Sequence, residues 1–67
     1  MKYTQVRSFH AVAKAGSFTG GARDLNVSQP TVTEQVRELE ATYGIEVFNR
    51  AQRKAKLTAV GRSLFEI

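Results

Sequence analysis

Four cations, Arg50, Arg53, Lys54 and Lys56, fall between residues 50 and 56 with no acid among them. Such a run can neutralise and hydrogen-bond phosphate oxygens; by itself it reads equally well as a solvated basic loop. A second group with usable chemistry is Ser28-Gln29-Pro30-Thr31, followed by Thr33, Glu34 and Arg37. An amide, hydroxyls, a carboxylate and a guanidinium at that spacing can hydrogen-bond the edges of bases and the oxygens of a phosphate backbone. Catalytic groupings are missing. The chain has no cysteine, its single histidine is His10, and it contains no glycine-rich phosphate loop. Neither a thiol nucleophile nor a clustered His/Cys metal site is available, and a Ser–His pair has only His10 to draw on.

Composition agrees with a polyanion partner. The net charge of the 67 residues is +4, with 42% hydrophobic residues and a pI near 10.0. The charge is uneven. Residues 1–44 carry a net +1, whereas residues 45–67 carry a net +3. A domain of this size buries only about 60% of its unfolded surface, so its stability is small. There is no apolar run of membrane-spanning length, and the opening residues lack the apolar core of a signal peptide. A cytoplasmic protein with no membrane contact is expected.

The elements that must position these groups follow from periodicity. Val6, Phe9 and Ala13 recur at helical spacing, with Tyr3 one step earlier, which predicts a first helix over 3–15 stopped by Gly16. His10 is expected to be a half-buried packing residue. Phe18, Ala22 and Leu25 predict a short second helix, capped by Ser17 or Thr19. Gly20 and Gly21 lie inside it; Gly21 either permits close approach of another helix or is a penalty that packing offsets. Asn26-Val27-Ser28 is a break in which Val27 is expected to plug the angle between two helices. Ser28 is the N-cap of a third helix over 29–43, Pro30 suits its first turn, and Gly44 ends it. Val32, Val36, Leu39 and Tyr43 form its inward stripe. At roughly 100° per residue, Pro30, Glu34, Arg37 and Ala41 point the other way, with Thr33 to one side.

From Ile45 the period changes. Val47-Phe48-Asn49-Arg50 and Ala55-Lys56-Leu57 read as two strands around a polar tip at 51–54. Thr58 is expected to cap a last helix with the stripe Leu57, Val60, Leu64 and Ile67, a pattern still running at Ile67, as in a piece of a longer protein. Phe9, Phe18, Val27, Val32, Val36, Leu39 and Phe48 are assigned to the core. The fold class expected is mainly α with a small two-stranded hairpin: a winged helix-turn-helix at 1–58 and the start of a linker helix at 59–67. A short helix, a tight turn and a longer helix with a small polar outer face is the arrangement that enters a major groove about 12 Å wide. The three acids Glu34, Glu38 and Glu40 on the third helix leave a protein–protein interaction module as the alternative.

Individual residues sharpen this. Gly16-Ser17-Phe18-Thr19, Ala22, Leu25, Val27-Ser28-Gln29-Pro30, Leu39-Glu40, Gly44, Phe48, Arg50, Leu57-Thr58 and Gly61 closely resemble the signature of the LysR family of transcriptional regulators, in register along essentially the whole chain. The resemblance implies sequence-specific binding to double-stranded operator DNA. It implies a linker helix that pairs subunits into a homodimer or tetramer. It also implies a C-terminal domain, outside this sequence, that binds a small-molecule effector; no cofactor is expected within the 67 residues. By position, Gln29, Pro30, Thr33 and Glu34 face bases. Ser28, Thr31 and Arg37 lie at backbone or groove edges, and Arg53 with Lys54 at the wing. Departures from the family pattern are Gly20 and Gly21, where a larger residue and an alanine are usual, Thr33 for serine, and Glu34 for arginine. Glu34 reverses a charge. It either accepts from a cytosine amine, orients Arg37, or is solvated. Gln29 either pairs with an adenine edge or is a first-turn solvent residue. Arg37 is either a phosphate clamp or a partner of Glu40, and Arg50 can support the wing through Glu46.

Overall fold

A computed structural model describes residues 2–49 and 54–66. Its elements run α1 (Tyr3–Ala15), α2 (Phe18–Leu25), α3 (Gln29–Tyr43), β1 (Phe48–Asn49), β2 (Lys56–Leu57) and α4 (Ala59–Phe65). The first three helices stand where periodicity and caps predict them. Gly16 and Gly44 close α1 and α3 in the left-handed conformation. The strands are shorter than expected: β1 and β2 pair antiparallel with Phe48 opposite Leu57 and Asn49 opposite Lys56. Arg50, the tip residues 51–53 and Ile67 lie outside the described residues.

Helices α1, α2 and α3 pack around a core of Phe9, Val12, Ala22, Val32, Val36, Leu39, Val47 and Phe48. Phe18 and Val27, assigned to the core, pack against it while only partly buried. Aromatic contacts tie the hairpin to the helices. The Phe48 ring lies 5.5 Å from Phe9 and 5.3 Å from Phe18, centroid to centroid, and such pairs each contribute about 0.5–1.5 kcal/mol beyond their buried area. Gly21 resolves in favour of close approach. A Cβ there would lie 2.7 Å from Val12 Cγ2 and 2.9 Å from the Val12 backbone, so α1 and α2 meet nearly backbone to backbone.

Four expectations are corrected. Tyr43 is 45% exposed: it is the last residue of α3, and Ile45 beyond the cap packs on the core in its place. Tyr3 is also exposed, at the first position of α1. His10 is exposed rather than half-buried, with one ring face stacked 4.5 Å from Phe65. Val60 is 48% exposed, because α4 is rotated about one residue from the expected stripe. Gly61 is buried, and Phe65 packs toward Phe9 at 6.4 Å. Among the described residues no helix is long and apolar enough to cross a membrane.

Candidate nucleic-acid interface

The turn between α2 and α3 sets the geometry of the site. Ser17 caps α2, its hydroxyl accepting the Gly20 N–H at 2.9 Å. At the other end Asn26 adopts a left-handed conformation, φ 57°, tolerable for an asparagine. The Val27 N–H then returns to the Ala22 carbonyl at 3.0 Å, holding the Val27 side chain against the core. Ser28 is extended and opens α3 by accepting the Thr31 N–H at 3.4 Å; its hydroxyl also bonds that of Thr31 at 2.8 Å. Pro30 sits in the first turn, where no N–H is required.

With Val32, Val36 and Leu39 fully buried, the opposite side of α3 must face out. Gln29, Pro30, Thr33, Glu34 and Arg37 together line one shallow surface recess of about 430 Å³. All are exposed except Thr33, which is half-buried. Ser28 and Thr31 are exposed at the helix start, outside that recess, with their hydroxyls engaged with each other. Lys54 is exposed on the hairpin side; Arg53 lies outside the described residues.

The three acids of α3 separate into two kinds. Glu38, though exposed, accepts from Gln5 Nε2 of α1 at 3.3 Å. Glu40 accepts the Val47 N–H at 2.9 Å, committing that carboxylate to the start of the hairpin. Glu34 is the acid that stands on the outer face with Gln29 and Arg37. Two of the three acids that favoured a protein partner are thus engaged within the chain, while Lys54 and Lys56 of the basic half are exposed.

The hairpin is fastened to the same turn region that launches α2. Ala55 N–H donates to the Gly16 carbonyl at 3.1 Å, and Thr58 N–H to the Val47 carbonyl at 3.1 Å. In β2, Lys56 points outward and Leu57 inward, so the strand presents a cation without exposing its apolar side.

Three residues support this site in ways not anticipated from the sequence: Thr19, considered only as a cap, and Gln5 and Ser8, which were passed over. Thr19 Oγ1 donates to Gln29 Oε1 at 3.2 Å, across the α2–α3 angle. Gln5 and Ser8, both buried, hold α3 from behind: Gln5 bonds Glu38 and Ser8 bonds Gln35. For the last two a signal existed, since they share the helical face of Phe9 and Val12 (spacings i, i+3, i+4, i+7), where polar side chains require partners.

Comparison with known proteins agrees with this geometry. The family model described as "Bacterial regulatory helix-turn-helix protein, lysR family" matches residues 3–62. The HTH-type transcriptional regulator TcbR of Pseudomonas sp. (strain P51) is 41% identical over 66 residues, covering 98% of this chain and 22% of TcbR. The chain thus spans about a fifth of the length of that relative. Among solved structures, the CbnR DNA-binding domain in complex with DNA superposes with a TM-score of 0.92 at 41% identity, covering 98% of this chain and 76% of that one. The BenM DNA-binding domain with benA site 1 DNA gives 0.95 at 33% identity, covering 98% and 77%.

Proposed function

The chain belongs to the lysR family of bacterial regulatory helix-turn-helix proteins, and on that footing we propose that it binds double-stranded operator DNA sequence-specifically, as the N-terminal part of a transcriptional regulator. Helix α3 enters the major groove, and the wing at 47–57 lies on the adjacent backbone or minor groove. The observation that carries this reading is the outward recess of α3: Gln29, Pro30, Thr33, Glu34 and Arg37 are presented together on one face and are not spent in the interior.

Gln29, Pro30, Thr33 and Glu34 meet base edges; the Glu34 carboxylate takes a cytosine N4 amine. Ser28, Thr31 and Arg37 contact phosphates around the start and middle of α3, where free N–H groups and the helix dipole favour an anion. Arg53 and Lys54 bind the neighbouring backbone or minor groove. Residues 1–58 form the DNA-binding unit, and 59–67 begin the linker helix. The full-length protein is a cytoplasmic homodimer or tetramer whose C-terminal domain binds a small-molecule effector. The DNA complexes known for the CbnR and BenM domains support the choice of partner.

The test is binding of the full-length protein to an operator selected from random DNA, and to a scrambled version, across salt concentrations. Log affinity should fall linearly with log salt, with a slope of magnitude several, because phosphate contacts release counterions. A slope near zero would remove the reading.

A further inference from the structure

Thr19, the second residue of α2, and Gln29, the first residue of α3, meet by their side chains, with Thr19 Oγ1 donating to Gln29 Oε1 at 3.2 Å. Neither helix needs this bond for its own start. Ser17 caps α2 and Ser28 caps α3. Both partners are exposed, so the bond contributes little to stability. A threonine hydroxyl can donate or accept; here it donates to Oε1, and this gives the bond a direction. A glutamine amide has a carbonyl that accepts and an NH2 that donates, and a free side chain can present either end. Threonine, branched at Cβ, has few rotamers and makes a stiff anchor.

We propose that Thr19 is a positioning residue that turns the Gln29 amide donor-outward, and thereby sets which base Gln29 accepts. With Oε1 held by Thr19, the group offered to the groove is Nε2–H2. It matches acceptor edges: a purine N7, guanine O6 or thymine O4. Cytosine, which presents its N4 donor there, is disfavoured at this position. This replaces the symmetrical adenine pairing expected of an unheld glutamine with a donor-led contact. The inference rests on the reading of α3 as the helix that faces bases.

The experiment selects bound DNA from a random pool and then measures affinity ratios with full-length protein. The variants are Thr19→Val, Thr19→Ser, Gln29→Ala and the double variant Thr19→Val/Gln29→Ala, with matched thermal melts. The base read by Gln29 is the one whose preference Gln29→Ala abolishes. Thr19→Val should reduce discrimination against cytosine at that base by roughly fivefold or more, the effect of about one good base contact. Thr19→Ser should restore it, and the double variant should match Gln29→Ala. Unchanged discrimination in Thr19→Val would overturn the proposal. So would an equal loss on every sequence that persists in the Gln29→Ala background, since Thr19 would then act on the phosphate backbone itself. A Gln29→Ala variant with intact preference everywhere defeats base reading by Gln29, a result distinguishable from failure of the Thr19 role alone.

Discussion

A carboxylate brought up to DNA repels every phosphate near it, so on the proposed reading Glu34 works partly through what it rejects. It stands on the outer face beside Gln29 and Arg37, whereas Glu38 and Glu40 are turned to Gln5 and to the Val47 amide. In the major groove two bases show an amine. Adenine N6 has the acceptor N7 beside it, which opposes a carboxylate; cytosine N4 does not. Glu34→Gln should therefore bind unrelated DNA several-fold more tightly. It should also lose roughly fivefold or more of the preference for cytosine at its contacted base, the effect of a contact worth about 1 kcal/mol. Competition binding with site variants measures both effects. Unchanged values for both would leave Glu34 as a solvated side chain. Helical period already put Glu34 on the outer face; what sequence could not show is that α1 and the hairpin draw Glu38 and Glu40 away from it.

At the scale of elements, the close contact between α4 and the hairpin has a measurable consequence. A Cβ on Gly61 would lie 2.1 Å from the Val47 carbonyl oxygen and 2.9 Å from its carbon, and backbone cannot step aside as a side-chain tip can. Gly61→Ala should destabilise the domain by about 3 kcal/mol or more, at the upper end of overpacking effects. In a domain this small that lowers the melting temperature by roughly 10 °C or more, readable by circular dichroism. The control Ser63→Ala, on an exposed position of α4, should melt close to the parent. Helix starts were largely legible from residue chemistry. Ser28 and Thr58 cap the helices that follow, as expected, and of the two candidates for α2, Ser17 and Thr19, Ser17 is the cap. The inward face of α4 was not legible. Hydropathy weights Val60 and ignores glycine, whereas packing chose Gly61 and Phe65 because the Val47 carbonyl leaves no room for a side chain. Gln5 and Ser8 were passed over for a related reason: their place on the apolar face marked them as needing partners, but only the fold shows that Glu38 and Gln35 supply them.

At the scale of the whole molecule, the described residues measure 26 × 25 × 20 Å, less than the roughly 34 Å of one turn of duplex. On the proposed reading one copy addresses a single half-site, and a second has to be held a turn or more away. The 67 residues alone offer little to hold it. Helix α4 runs only over Ala59–Phe65, and its Gly61 and Phe65 are already used within the chain. A self-standing coiled coil normally needs three or more heptads. Sedimentation of residues 1–67 at low micromolar concentration should give a monomer, and its DNA affinity should fall well below that of a paired form, which gains from effective concentration. A tight dimer would show that the exposed Val60 side of α4 suffices for pairing. The seat of Gly61 on Val47 matters beyond stability. With no side chain between them to act as a cushion, the first turn of α4 and the base of the hairpin form a stiff joint. Torque applied to α4 is therefore passed directly to the base of the hairpin, with no compliant side chain to absorb it.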